Sequence, residues 1–106
     1  MYDKIADMDE IKNLNEIITL KYQLKETNMN KGEVVQSYIM RISHLRDQLQ
    51  RVGENVPDME IVVVTLRGLP PILETFITTI SNSNVLLSFD EIVGKLTQEE
   101  SRIITR

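Results

Sequence analysis

The chain has 106 residues, 42% hydrophobic and 26% charged, with a formal net charge of −4; that suits one domain with a modest core and is too apolar for a disordered chain. It has no Cys and a single His, His44, which excludes disulfides and Cys-based zinc or iron–sulfur sites. The acidic balance argues against binding nucleic acid through phosphate contacts, which need Lys and Arg in excess. No apolar run approaches the roughly 20 residues of a membrane span, and the acids Asp3, Asp7, Asp9 and Glu10 are unlike a signal peptide.

Residues 3–27 contain neither Gly nor Pro. Ile5, Met8, Ile11, Leu14, Ile18 and Tyr22 step by three and four, and Ile17, Leu20 and Leu24 form a second row. The spacing predicts one long helix over about 4–27, with Asp9 as the candidate break point. Its wide apolar arc expects contacts on more than one side. Lys21, Lys25 and Lys31, diluted by Glu26, read as a solvated face. The polar stretch Asn28-Met29-Asn30-Lys31-Gly32 reads as a connector and the candidate hinge.

The central helix comes next. Val35, Tyr38, Ile39, Ile42, Leu45, Leu49 and Val52 fall on one stripe, bracketed by Gly32 and by Gly53 as a left-handed terminator. Glu54-Asn55-Val56-Pro57-Asp58 is a turn. Met59 to Arg67 is rich in β-branched residues, which suit a strand by propensity. Asp58 as N-cap, Gly68 as C-terminal residue and the lack of any partner strand favour a helix. Pro70-Pro71 breaks the chain before a short helix over about 71–81, with Ile72, Phe76, Ile77 and Ile80 inward. A loop runs from Ser81 to Asn84. Ser88-Phe89-Asp90-Glu91 is a capping box for a last helix over about 89–103, with Phe89, Ile92, Val93, Leu96 and Ile103 on its apolar face. Gly94 inside it costs on the order of 1 kcal/mol relative to Ala; close packing would account for it.

Nothing in the sequence supports an enzyme or a cofactor. His44 lies beside the core stripe, and Ser37 and Ser43 lack a base and an orienting group. The pairs Asp9-Glu10 and Glu99-Glu100 read as solvated. No Gly-rich phosphate loop exists.

One segment is more apolar than a single buried face needs. Met59, Val62, Val63, Leu66 and Leu69 form one stripe, and Ile61, Val64, Thr65 and Gly68 another, roughly opposite. A helix apolar on both sides is either enclosed or meets a partner with one of them.

The order of these elements resembles the Gag polypeptide of copia-type LTR retrotransposons. The matching residues are Leu24-Lys25, Gly32, Val35, Tyr38, Leu45, Leu49, Gly53, the run Leu66-Arg67-Gly68-Leu69-Pro70, Phe76, and Leu87-Ser88-Phe89-Asp90-Glu91-Ile92 through Leu96 to Gln98-Glu99-Glu100. The stretch from Gly32 through Tyr38-Ile39-Met40-Arg41-Ile42 is also similar to the major homology region of the retroviral capsid C-terminal domain. Departures at Lys31, Ser37 and Ile42 bear on that region's internal hydrogen bonds and not on its packing.

The resemblance implies an all-α fold: a long N-terminal helix followed by a four-helix, capsid C-terminal-domain-like bundle. Residues 1–29 would be the end of an N-terminal capsid lobe plus linker, and 30–106 the C-terminal-like domain. It implies a structural, cytoplasmic capsid subunit that self-associates, as a homodimer or higher assembly, into a virus-like particle around element RNA. The homodimer contact is expected at Ile61, Val64, Thr65 and Gly68, and the homology-region-like core at Val35, Tyr38, Ile42, Leu45, Leu49, Leu66 and Leu69. No membrane contact is expected, and little direct nucleic-acid binding, because the family's zinc knuckle is absent. The alternative is a host-retained adaptor that binds a partner peptide or helix in an apolar groove.

Overall fold

The computed structural model describes the backbone of residues 2–83 and 87–105, and the side chains of 14–83 and 87–103. The described chain is all-helical. It comprises α1 (Tyr2–Glu26), α2 (Val35–Arg51), α3 (Asp58–Arg67), a 3₁₀ turn (Pro71–Leu73), α4 (Glu74–Ser81) and α5 (Phe89–Thr105). α1 runs unbroken through Asp9. Of the row expected along it, Ile5, Met8 and Ile11 lie outside the described side chains, and Asn84, the end of the expected loop, lies outside the described residues.

α2 sits at the centre and touches α1, α3 and α5, while α5 also packs on α3. Val35, Tyr38, Ile42 and Leu49 are buried, and Leu45 and Val52 are partly so. α1 contributes Leu20 and Leu24, and Thr27 is buried just after its end; α3 contributes Ile61, Val62, Val64 and Thr65; α5 contributes Phe89, Ile92 and Leu96. Each large apolar side chain so enclosed stabilises the fold by about 1.5–3 kcal/mol relative to exposure. Leu14, Ile18 and Tyr22, by contrast, are exposed on α1.

The helix ends obey the local chemistry. At the end of α2, Gly53 has φ +90°. Its N–H donates to the Gln50 carbonyl (3.1 Å), and the Glu54 N–H donates to the Leu49 carbonyl (2.9 Å). That pair of bonds satisfies two of the otherwise orphaned carbonyls of the last turn. The Ser88–Glu91 capping box forms reciprocally at 3.2 and 3.0 Å. The Pro70-Pro71 break starts with a 3₁₀ turn, whose tighter winding shifts the register of the residues in and after it. Leu73 is therefore buried, and Ile72, expected inward, is 69% exposed.

Gly94 needs a correction. A Cβ there would meet nothing within 4 Å, so close packing does not explain it, and nothing in the structure does. Gly68 is different. Its φ is −85°, so it is not needed for backbone freedom. A Cβ would collide with the Tyr38 hydroxyl and lie 2.7 Å from the Thr27 carbonyl oxygen. Here the glycine makes room where α1, α2 and α3 converge.

Candidate functional site

Two arrangements stand out: the two faces of α3, and the clasp that holds the 27–33 connector.

α3 buries residues of both expected stripes: Val62 and Leu69 are enclosed and Leu66 partly so, and the stripe expected at a partner is enclosed as well. Ile61 and Thr65 are fully enclosed, Val64 is 5% exposed, and Gly68 is buried. These four residues therefore face this chain's own core and are not presented to a partner. Two anchors set the rotation. The Tyr38 hydroxyl, buried within α2, donates to the Thr65 carbonyl at 2.9 Å and more weakly to that of Val64 at 3.3 Å. Burial pushes the Tyr38 phenol up to about 12, so it remains a donor. At the other end, the Asp58 carboxylate does not cap its own helix, whose N-cap is Pro57. It accepts the Phe89 N–H at 2.8 Å instead, joining the start of α3 to the start of α5. The close approach anticipated at Gly68 is thus intramolecular.

The exposed face of α3 carries Met59 (46%) and Val63 (48%). Glu60 and Arg67, both exposed, flank Val63 one turn to either side, so the acid lies toward the N-terminus and the base toward the C-terminus, as the helix dipole favours. Lys21, Lys25 and Arg67 rim a shallow groove of about 280 Å³ between α1 and α3 with Val63 and Glu60 in its lining. Lys21 pairs with Glu54 at 2.7 Å, and the hydrogen bond to that carboxylate raises its pKa.

The connector is not a free hinge. The Glu33 carboxylate accepts from Arg41 Nε (2.9 Å) and Nη2 (2.7 Å), from the Asn30 N–H (2.8 Å) and from Ser37 Oγ (3.0 Å). Arg41 Nη2 also donates to the Asn28 carbonyl at 2.6 Å, and the Met29 N–H to the Gly68 carbonyl at 2.9 Å. Bidentate, charge-assisted bonds of this kind are stronger and more directional than neutral ones. The hydrogen bond from Arg41 is the main reason that the Glu33 carboxyl is lowered to about 2. Gly32, at φ +82°, turns the chain so that Glu33 can point back. With Lys31, Ser37 and Ile42 in place, this region holds an internal hydrogen-bond network centred on Glu33. Sequence reasoning missed Glu33, although its spacing of eight residues from Arg41 puts it just before the helix that carries its partner.

Glu100 was also missed. Its carboxylate accepts the Val35 N–H at 2.6 Å and so caps α2 from a distant helix, while Glu99 pairs with Arg102 at 2.7 Å; neither is simply solvated. Behind the connector lies an open groove of about 670 Å³ whose walls include Met29, Val34, Leu69, Pro70, Ile72 and Ile103. His44 is exposed on α2. Among the described residues no cluster of three or more His, Cys, Asp or Glu could hold a metal ion, and no single helix is long and apolar enough to cross a membrane.

The expected core residues Val35, Tyr38, Ile42, Leu49 and Leu69 are buried, and Leu45 and Leu66 are partly buried against them. A sequence-family model described as gag-polypeptide of LTR copia-type matches residues 3–104. No curated protein and no solved structure matches the chain.

Proposed function

The chain belongs to the Gag polypeptide family of copia-type LTR elements, and from that premise we propose that it is a capsid subunit that associates with copies of itself through the outer face of α3. In this reading α2 to α5 form a capsid C-terminal-like lobe, with residues 1–29 as the end of an N-terminal lobe and its linker. Burial of Leu20 and Leu24 joins the two parts here. The assembly would enclose element RNA, with contacts between subunits, rather than any catalysis, as its mechanism.

The observation that carries the proposal is the outer face of α3: Met59 and Val63 about half exposed, with Glu60 and Arg67 beside them. Two such helices related by a two-fold axis near Val63 run antiparallel. Each Glu60 then faces the partner's Arg67 while the apolar side chains meet at the centre. An isologous contact needs this kind of self-complementary patch. One short helix covers well under the roughly 1,000 Å² of a stable interface, so the contact is expected to be weak in solution and to gain strength from repetition in a lattice.

Light-scattering mass over a concentration series tests it. The wild-type chain should rise from monomer toward dimer, and Val63→Asp should stay closer to monomer with unchanged helicity. A wild-type mass that stays monomeric up to about millimolar (a contact weaker than roughly 4 kcal/mol) would overturn the proposal.

A further inference from the structure

Two kinds of contact hold α1 to the rest of the molecule. The first is apolar: Leu20 and Leu24 are enclosed and Ile17 is partly so. Burial of this row keeps α1 attached, but the hydrophobic effect has no direction, so it leaves a helix free to tilt in its seat. The second kind is polar and falls on the connector. Thr27 Oγ1 donates to the Gln23 carbonyl at 2.7 Å, which fastens the connector to α1 itself. The Met29 N–H donates to the Gly68 carbonyl at the end of α3. The Asn28 carbonyl accepts from Arg41, and the Asn30 N–H donates to Glu33. Each residue from 27 to 30 is therefore bonded in turn. Glu33 closes the set, with its side chain 9% exposed. Oε1 accepts from Arg41 Nη2 and the Asn30 N–H, and Oε2 from Arg41 Nε and Ser37 Oγ.

We propose that Glu33 is a positioning residue that sets the direction of α1: residues 27–33 form a fixed elbow, and the expected hinge is locked. Apolar burial keeps α1 on the bundle, and the directional bonds of the clasp decide its angle. The elbow is also bonded to the end of α3 through Gly68, where the Thr27 carbonyl leaves no room for a Cβ. α1 is therefore held at a set angle to the outer face of α3. That this angle would recur at every contact of an assembly rests on the reading above; the elbow itself stands without it.

Spin-label distances test it in the full chain, which has no native cysteine. Labels at Glu16→Cys and Lys95→Cys join α1 to α5, and labels at Gln50→Cys and Lys95→Cys lie within the bundle as a control; all three positions are exposed. Both pairs are measured in a Val63→Asp background, so that association through α3 adds no distances between copies. With Glu33 intact, each pair should give one narrow distribution. Glu33→Gln should at least double the width for 16–95 and leave 50–95 and the helicity unchanged. Arg41→Lys, which keeps the charge but loses the paired geometry, should broaden 16–95 as well. A broad 16–95 distribution with Glu33 intact would reveal a hinge and overturn the elbow. A distribution that stays narrow in both variants would assign the angle to apolar packing and overturn the role of Glu33. Broadening of both pairs together would make the clasp a support of the whole bundle and overturn it too. None of these outcomes depends on whether α3 pairs copies, so the elbow and the assembly reading fail separately.

Discussion

The two faces of α3 both carry apolar side chains and do opposite things. The inner face, with Ile61, Val64, Thr65 and Gly68, is enclosed, with α3 packed on α2 and α5. The outer face, with Met59 and Val63, is about half exposed. Valine stands on both, but Glu60 and Arg67 flank Val63 on the outer face only. Polar groups elsewhere in the chain anchor the inner one. The Tyr38 hydroxyl takes the carbonyls at the end of α3, Asp58 ties its start to α5, and Gly68 leaves space for Tyr38. A helix with two apolar faces is oriented by the few bonds that only one rotation can satisfy.

The sharpest break of that comparison is Val64→Asp. It places a carboxylate without a partner in the core, at a cost of several kcal/mol, roughly 3 or more. Circular dichroism and thermal melting should show an unfolded or strongly destabilised chain. Gly68→Ala comes next. The added methyl meets the Tyr38 hydroxyl and the Thr27 carbonyl, and overpacking of this kind costs about 1–3 kcal/mol or more, measurable by urea unfolding.

Glu33→Gln sharpens the comparison from a distance, because the clasp fixes the connector against Gly68. Loss of its charge-assisted bonds should cost about 1–3 kcal/mol. The pH dependence has a definite sign. The folded carboxyl lies at about 2 and the ordinary value is 4.5. Its contribution is therefore fully present above about pH 4.5 and is lost as pH falls toward about 2. Urea titrations should show this acid-side loss in the wild type, reduced in Glu33→Gln. The smallest effect is at Gly94, where open surroundings mean that Gly94→Ala should stabilise the chain by up to about 1 kcal/mol, raising the melting temperature without touching either face of α3.

The helical elements were legible in the sequence because periodicity and punctuation agreed. The α2 stripe from Val35 to Leu49, the left-handed Gly53 and the Ser88–Glu91 box are all local signals. The all-α class and the family are read from the same order of elements. The orientation of α3 was not legible. Its two stripes are alike in hydrophobicity and both contribute buried residues, Val62 and Leu69 from one and Ile61, Val64 and Thr65 from the other, and the bonds that anchor the helix join residues 27 and 31 positions apart. The clasp was half legible. Gly32 and Arg41 were both singled out, but Glu33 gains its meaning only when the turn at Gly32 brings it back onto Arg41. Glu100 capping Val35 across 65 residues leaves no local trace at all. On α1, two apolar rows were visible, and only packing distinguishes the buried Leu20–Leu24 row from the exposed Leu14–Ile18–Tyr22 row.

The outer face of α3, not the inner one, is the surface proposed to meet another copy, and a cross-link tests that most directly. The chain has no native cysteine, so a single introduced thiol reports the contact without background. A two-fold axis near residue 63 brings the two Val63 positions together, within the Cα separation of about 7 Å that a disulfide can bridge. Under mild oxidation, Val63→Cys should form a covalent dimer, and Val64→Cys, one residue away but enclosed, should not. Equal cross-linking of the two variants, or none for Val63→Cys in a chain that associates, would contradict the account.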